Sequence, residues 1–211
     1  KSDQLGLKNI LAVWNVSMKV DLKKEFSLPG TGAQAWTFLQ DIRGVASCMP
    51  GAEITEDLGD GNYKGKVKAK IGPATMAFNG DIIIKNIDAE KRELHMIGKG
   101  QDTKGTSSAT MDLRAWVEDG QNGQSILQGV AEVTVNGKAA SLGGRMMTQV
   151  ADQMLNQFGK TFANNVASMG EGEEAEIARE KVAEQPTELN GISFAWSVFV
   201  GWFKSLFGSK N

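Results

Sequence analysis

The chain has 211 residues, 41% of them hydrophobic, which is enough for one buried core with appendages and short of what two full domains need. Lysine and arginine number 23 against 25 acidic residues, and a net charge of -2 lacks the long-range pull on phosphate that nucleic-acid binders rely on. One cysteine, Cys48, and one histidine, His95, exclude an internal disulfide and a Cys/His metal site within one copy.

Residues 1–17 lack the continuous apolar stretch and small-residue cleavage site of a secretory signal, which favours a cytoplasmic protein. Leu7, Ile10, Leu11 and Trp14 fall at helical spacing, yet the first methionine is Met18, at the start of a strand-like run. Two readings stand for this segment: a short amphipathic helix, or an extension that lies outside the natural product.

From Lys19 to Leu28, Val20, Leu22 and Phe26 alternate with charges, the period-2 mark of a half-buried strand, and Pro29-Gly30 ends it. Trp36, Leu39, Ile42 and Val45 recur every three residues and predict one short helix or two, closed by the turn Cys48-Met49-Pro50-Gly51. From Gly61 the pattern is strand after strand, with bends expected at Asp60-Gly61-Asn62, Asn79-Gly80, Asp119-Gly120 and Asn136-Gly137. Lys64, Lys66, Lys68 and Lys70 share one face and read as solvated, opposite Val67, Ala69 and Ile71. The same alternation sets inward faces of Met76, Phe78, Ile82 and Ile84, then Met111, Leu113, Ala115 and Val117, then Leu127, Ala131, Val133 and Val135.

The longest helical pattern runs from Ser141 to Ser168, with Leu142, Met146, Val150, Met154, Phe158, Phe162 and Val166 stepping by four. An antiparallel sheet and one long helix must bury their apolar faces against each other, so the expected fold class is α+β with a helix-grip architecture: a curved antiparallel sheet wrapped around a C-terminal helix. The methionines of that helix, Met147 and Met154 among them, suit either an adaptable ligand wall or ordinary core filling. The residues expected to line an apolar binding space are Met76, Phe78, Ile82, Met111, Leu113, Val133, Met147, Val150, Met154 and Phe158.

Past Ser168 the composition turns acidic, and residues 169–191 read as a solvated linker with a helical stretch between Glu173 and Glu184. Residues 192–211 follow as an apolar tail, with ten large apolar side chains among the sixteen positions from Ile192 to Phe207. As a helix that run would be about 24 Å long, short of the roughly 30 Å hydrocarbon core of a bilayer. Ile192, Phe194, Trp196, Phe199, Trp202, Phe203 and Phe207 give it the aromatic content that settles at a headgroup boundary, and half-burial of its large side chains would contribute roughly 10 kcal/mol before ordering costs. The competing reading is a helix that docks on the domain's own core.

No acid/base pair, nucleophile order or phosphate-binding loop stands out. His95 falls on the outward parity beside Leu94 and Met96, as do Asp81 and Asp112. Gly143-Gly144 reads as a place where the long helix approaches the sheet closely, and Cys48 as a structural thiol with only Arg43 nearby in sequence to stabilise a thiolate.

Three segments carry a family resemblance: Cys48-Met-Pro-Gly-Ala-Glu53, Tyr63-Lys-Gly-Lys-Val-Lys-Ala-Lys-Ile-Gly-Pro73 with Phe78-Asn-Gly80, and Leu142-Gly-Gly-Arg145. In this order and spacing the stretch from Met18 to Val166 resembles the carbon monoxide dehydrogenase CoxG family of the START-like (SRPBCC) superfamily. The resemblance implies a ligand-binding domain at 18–168 and a non-catalytic accessory of a molybdenum hydroxylase such as carbon monoxide dehydrogenase. It also implies association with the inner face of the cell membrane, with lipid and a lipophilic small molecule as partners and no covalent cofactor. Together with the tail it suggests a carried quinone, and the alternative is a tether or assembly factor that carries nothing.

Overall fold

The computed structural model describes residues 16–71 and 74–183. They form a seven-stranded, wholly antiparallel sheet and four helices: β1 (Ser17–Leu28), α1 (Gly32–Leu39), α2 (Ile42–Cys48), β2 (Ala52–Gly59), β3 (Asn62–Ile71), β4 (Ala74–Asp88), β5 (Glu93–Asp102), β6 (Ser107–Asp119), β7 (Ser125–Gly137), a 3₁₀ turn (Ala140–Leu142), α3 (Gly144–Ser168) and α4 (Glu173–Ala183). The strand order is β1-β7-β6-β5-β4-β3-β2. Strands β2 to β7 therefore follow one another as a meander, while β1 pairs with β7 at the far edge. The two short helices carry the chain from one edge to the other.

Local chemistry fixes each step of that crossing. After Leu28, Thr31 caps α1 in a reciprocal box: its hydroxyl accepts from the Gln34 N–H at 3.3 Å, and Gln34 Oε1 accepts from the Thr31 N–H at 2.9 Å. The expected single period of three is broken at Asp41, whose carboxylate accepts from the Gly44 N–H at 3.0 Å and starts a second helix. Ala35, Phe38, Leu39 and Ile42 from these helices are buried.

Cross-strand register puts one residue parity on a single face of the sheet. Phe26 pairs with Leu127 and Leu127 with Val117; Ala115 pairs with Leu94, and Ile84 with Met96. These residues pack with Phe158, Phe162 and Val166 of α3 in the main buried cluster. Phe162 is fully buried, with its ring 4.8 Å from Phe38 and 5.6 Å from Phe158. The opposite face carries ion pairs: Lys64 to Asp81 at 2.6 Å, Lys66 to Glu53 at 2.9 Å and Arg114 to Glu93 at 3.1 Å. The lysines of β3 that are described do face outward, and His95 does too, with its Nε2 2.9 Å from Asp112 Oδ1.

Four expectations are corrected. Asn79-Gly80 is no bend: it lies mid-way along β4, where a Cβ on Gly80 would overlap the Lys99 carbonyl, so the glycine serves close strand approach. The strand Ala52–Gly59 precedes the first one expected; only Ile54 is buried in it, and its charges at an exposed sheet edge hide the alternation. Gly143-Gly144 does not bring helix to sheet. A Cβ on Gly143 would meet nothing within 4 Å, and the residue is required by its φ of 85°, which L side chains rarely adopt. The close approach is made at Gly159, where a Cβ would overlap the Phe26 ring. Finally, the strict four-residue stripe overstates the helix face. Leu142 lies outside α3 and is 38% exposed, and Met146 is 39% exposed. Four residues turn an α-helix by about 400°, so each step drifts about 40° and the stripe leaves the sheet.

Past α3, residues 173–183 form a packed helix where a solvated linker was expected. Ala175 and Ala178 of α4 are buried, and Arg179 donates to the carbonyls of Ser168 at 3.1 Å and Gly170 at 3.0 Å, satisfying backbone acceptors at the end of α3. The sequence 184–191 and the tail from Ile192 lie outside the described residues, as do residues 1–15.

Candidate functional site

The face between sheet and α3 is closed at its two ends by different clusters. The main cluster occupies the C-terminal half of α3. A second is built on buried Val135, Ala139 and Ala140, with Met18, Met76, Phe78, Ala109, Val133 and Met147 packed against it. The 3₁₀ turn that supplies Ala140 is pinned by a short hydrogen-bond chain. The Ala139 N–H donates to Ser107 Oγ at 3.0 Å, and the Ser107 N–H donates to Asp102 Oδ1 at 2.9 Å. The hydroxyl of Thr106 adds a bond to Asp102 Oδ2 at 2.9 Å, and its N–H one to Oδ1 at 2.6 Å. Burial pushes the Asp102 carboxyl up, but the Ser107 and Thr106 donors outweigh it and hold the group below the usual carboxylate range.

The ten residues expected to line a binding space all lie on this helix-facing side, and all ten are half-buried. The structure sorts them into three groups. Ile82 and Phe158 pack against the main cluster, and Met76, Phe78, Val133 and Met147 against the second. Met111, Leu113, Val150 and Met154 belong to neither. They stand at mid-sheet, where Met111 pairs with Gly98 and Val133, and Leu113 with Met96 and Ala131. Small residues floor the same zone: Gly98, Gly129 and Ala131, with the cross-strand row Gly65, Gly80, Gly100 and Ala109 beside it. An unsealed apolar middle between two buried ends suits an apolar guest.

One inward residue was not anticipated. On β1 exposure alternates without a break, and Lys24 takes the inward parity of Met18, Val20, Leu22, Phe26 and Leu28. Its Nζ lies 2.8 Å from Asp152 Oδ1 on α3. The signal was legible: the same period of two that marks Leu22 and Phe26 as inward marks Lys24, and the charge masked it.

Nothing in the interior forms a nucleophile or acid/base constellation of the usual kinds. Cys48 is buried, and burial pushes its thiol up to about 12, which the Asn165 amide at 3.6 Å offsets only in part. Arg43 does not attend it, donating instead to the Ile54 carbonyl at 3.4 Å. Among the described residues no group of three or more His, Cys, Asp or Glu is placed to hold a metal ion, and no helix is long and apolar enough to cross a membrane.

A curved antiparallel sheet gripping a long C-terminal helix around a partly open apolar interior defines a START-like protein of the α+β class. Solved structures share the fold. A conserved protein from Geobacillus kaustophilus superposes with a TM-score of 0.63 at 20% identity, covering 70% of this chain and 95% of the other. A START superfamily protein from Mycobacterium smegmatis gives 0.51 at 13% identity over 71% and 99%. The Zhui aromatase/cyclase from Streptomyces sp. R1128 gives 0.51 at 13% identity over 78% and 96%. No curated protein sequence matches the chain. The family model of CoxG, the G-type subunit of carbon monoxide dehydrogenase, matches residues 25–167, and the chain belongs to that family.

Proposed function

We propose that the protein is a non-catalytic accessory of a carbon monoxide dehydrogenase-like molybdenum hydroxylase that binds a lipophilic molecule between its sheet and α3. The observation that carries this reading is the half-buried apolar middle, with Met111, Leu113, Val150 and Met154 outside both buried clusters. Family membership supports the enzyme partner, since the family is named as a subunit of that dehydrogenase.

In the fuller form of this reading the guest is a quinone, and the tail from Ile192 to Phe207 holds the protein as a peripheral component on the cytoplasmic side of the membrane. A quinone's isoprenoid chain is poorly soluble in water, and an apolar space that shields it lets the head reach an enzyme off the bilayer. With α4 packed on α3, the reach between domain and tail falls to the stretch 184–191, at most about 30 Å fully extended. That length sets the domain close to the lipid surface, a shorter tether than the whole acidic segment would supply.

The test is organic extraction of protein purified from its native host, followed by mass spectrometry. A quinone at a sizeable fraction of one per chain is expected, with Met154→Trp lowering the yield severalfold by filling the middle of the space. Empty extracts, together with no effect of the protein on quinone reduction by the partner enzyme, would favour a tether that carries nothing.

A further inference from the structure

The helix α3 runs alongside β1, and three contacts mark the seam in order: Gly159 against Phe26, Asp152 with Lys24, and Gly144 near Met18. The middle contact is polar and stands at the level of Val150 and Met154. We propose that Lys24 is the polar anchor of the binding space. Held by Asp152, its ammonium donates to a hydrogen-bond-accepting head, a carbonyl or carboxylate, on a ligand whose apolar body lies against Val150, Met154 and the sheet. The inference rests on the apolar-guest reading above and names the chemistry its ligand must carry.

Position is the first argument. Every other inward residue of β1 is apolar, and an apolar side chain at 24 would bury surface that a lysine cannot. Stability is a poor reason for the exception. The Lys24 side chain is 33% exposed and that of Asp152 46%, and ion pairs so open to water contribute about 0–1 kcal/mol. The second argument is valence. An ammonium carries three donors, and among the described residues Asp152 is its one ion-pair partner, so two remain for a guest. The third is space. The cross-strand neighbour of Lys24 is Gly129, which has no side chain to cover the lysine stem, and Leu113 Cδ1 would stand 3.9 Å from a Cβ placed there. The ammonium therefore sits over the same small-residue floor that leaves the middle unsealed.

The test compares two probes of similar apolar bulk on the full chain by equilibrium dialysis: a decyl-substituted benzoquinone, which accepts hydrogen bonds, and decylbenzene, which does not. Lys24→Met keeps the stem and removes the donors. We expect it to weaken the quinone about tenfold and to leave decylbenzene within about twofold, while Lys24→Arg retains most of the quinone affinity. Thermal melts of each variant confirm that the fold is kept. Equal loss on both probes, or unchanged quinone binding, overturns the anchor while leaving the apolar space standing. A wild-type chain that takes up neither probe overturns the apolar-guest reading and the anchor with it.

Discussion

Gly159 sets how near the long helix comes to the sheet. Any Cβ at that position overlaps the Phe26 ring, whose edge also meets Phe158 at a centroid distance of 5.9 Å. The contact lies at the edge of the main cluster, so strain there reaches Phe162 through Phe158. We expect Gly159→Ala to destabilise the domain by about 1–3 kcal/mol even though alanine is the better helix former, because overpacking outweighs the roughly 1 kcal/mol of propensity gained. Urea unfolding followed by circular dichroism measures the sign directly, and a stabilised variant would mean that the helix moves away without loss. The same substitution at Gly143 would be limited by its φ of 85° alone, since that position meets nothing.

At the scale of elements, the β5–β6 hairpin and the 3₁₀ turn depend on one carboxylate. Asp102 accepts from the Ser107 and Thr106 donors and is held below the usual carboxylate range against the pull of its burial. A depressed carboxylate contributes stability that is present above its unfolded value and lost as pH falls through its folded one. Asp102→Asn should therefore lower the melting temperature by a steady amount from about pH 8 to 5, with the difference from wild type shrinking below about pH 4 as Asp102 protonates. A gap that persists unchanged at the acid end would place the effect in packing. Sequence patterning reaches some of these elements and not others. Alternation exposed the inward faces of β4, β6 and β7, and the helical period exposed α3, because each buries one side continuously. The pattern failed where another force chose the residue: Gly80 answers to strand approach, the charges of β2 to an open edge, and Asp41 to a helix cap. For the site, apolar residues were found by parity and Lys24 was passed over by chemistry. The division into two clusters was out of reach, since only cross-strand packing decides which half-buried side chains meet a neighbour.

For the molecule as a whole, the remaining question is what the apolar run from Ile192 to Phe207 packs against. Every residue of the two buried clusters lies between Met18 and Val166, and the end of α3 is covered by Ala175, Ala178 and Arg179 of α4. The helix-facing side therefore has its ends closed by described residues, and a chain that stops at Gln185 keeps all of them. We expect such a truncation to melt within about 2 °C of the full chain, since a loss of 1 kcal/mol would already shift a domain of this size by about that much or more. Burial of even half the tail's large side chains in lipid is worth roughly 10 kcal/mol before ordering costs, more than a single acyl chain supplies. The full chain should accordingly float with liposomes while the truncated one stays at the bottom of the gradient. Salt should change this little, because Lys204 and Lys210 are the only cations of the tail and apolar burial dominates. A full chain that does not float, or a truncation that unfolds the domain, would instead assign the run to the domain's own surface, where the exposed Leu142 and Met146 offer an apolar face at the start of α3.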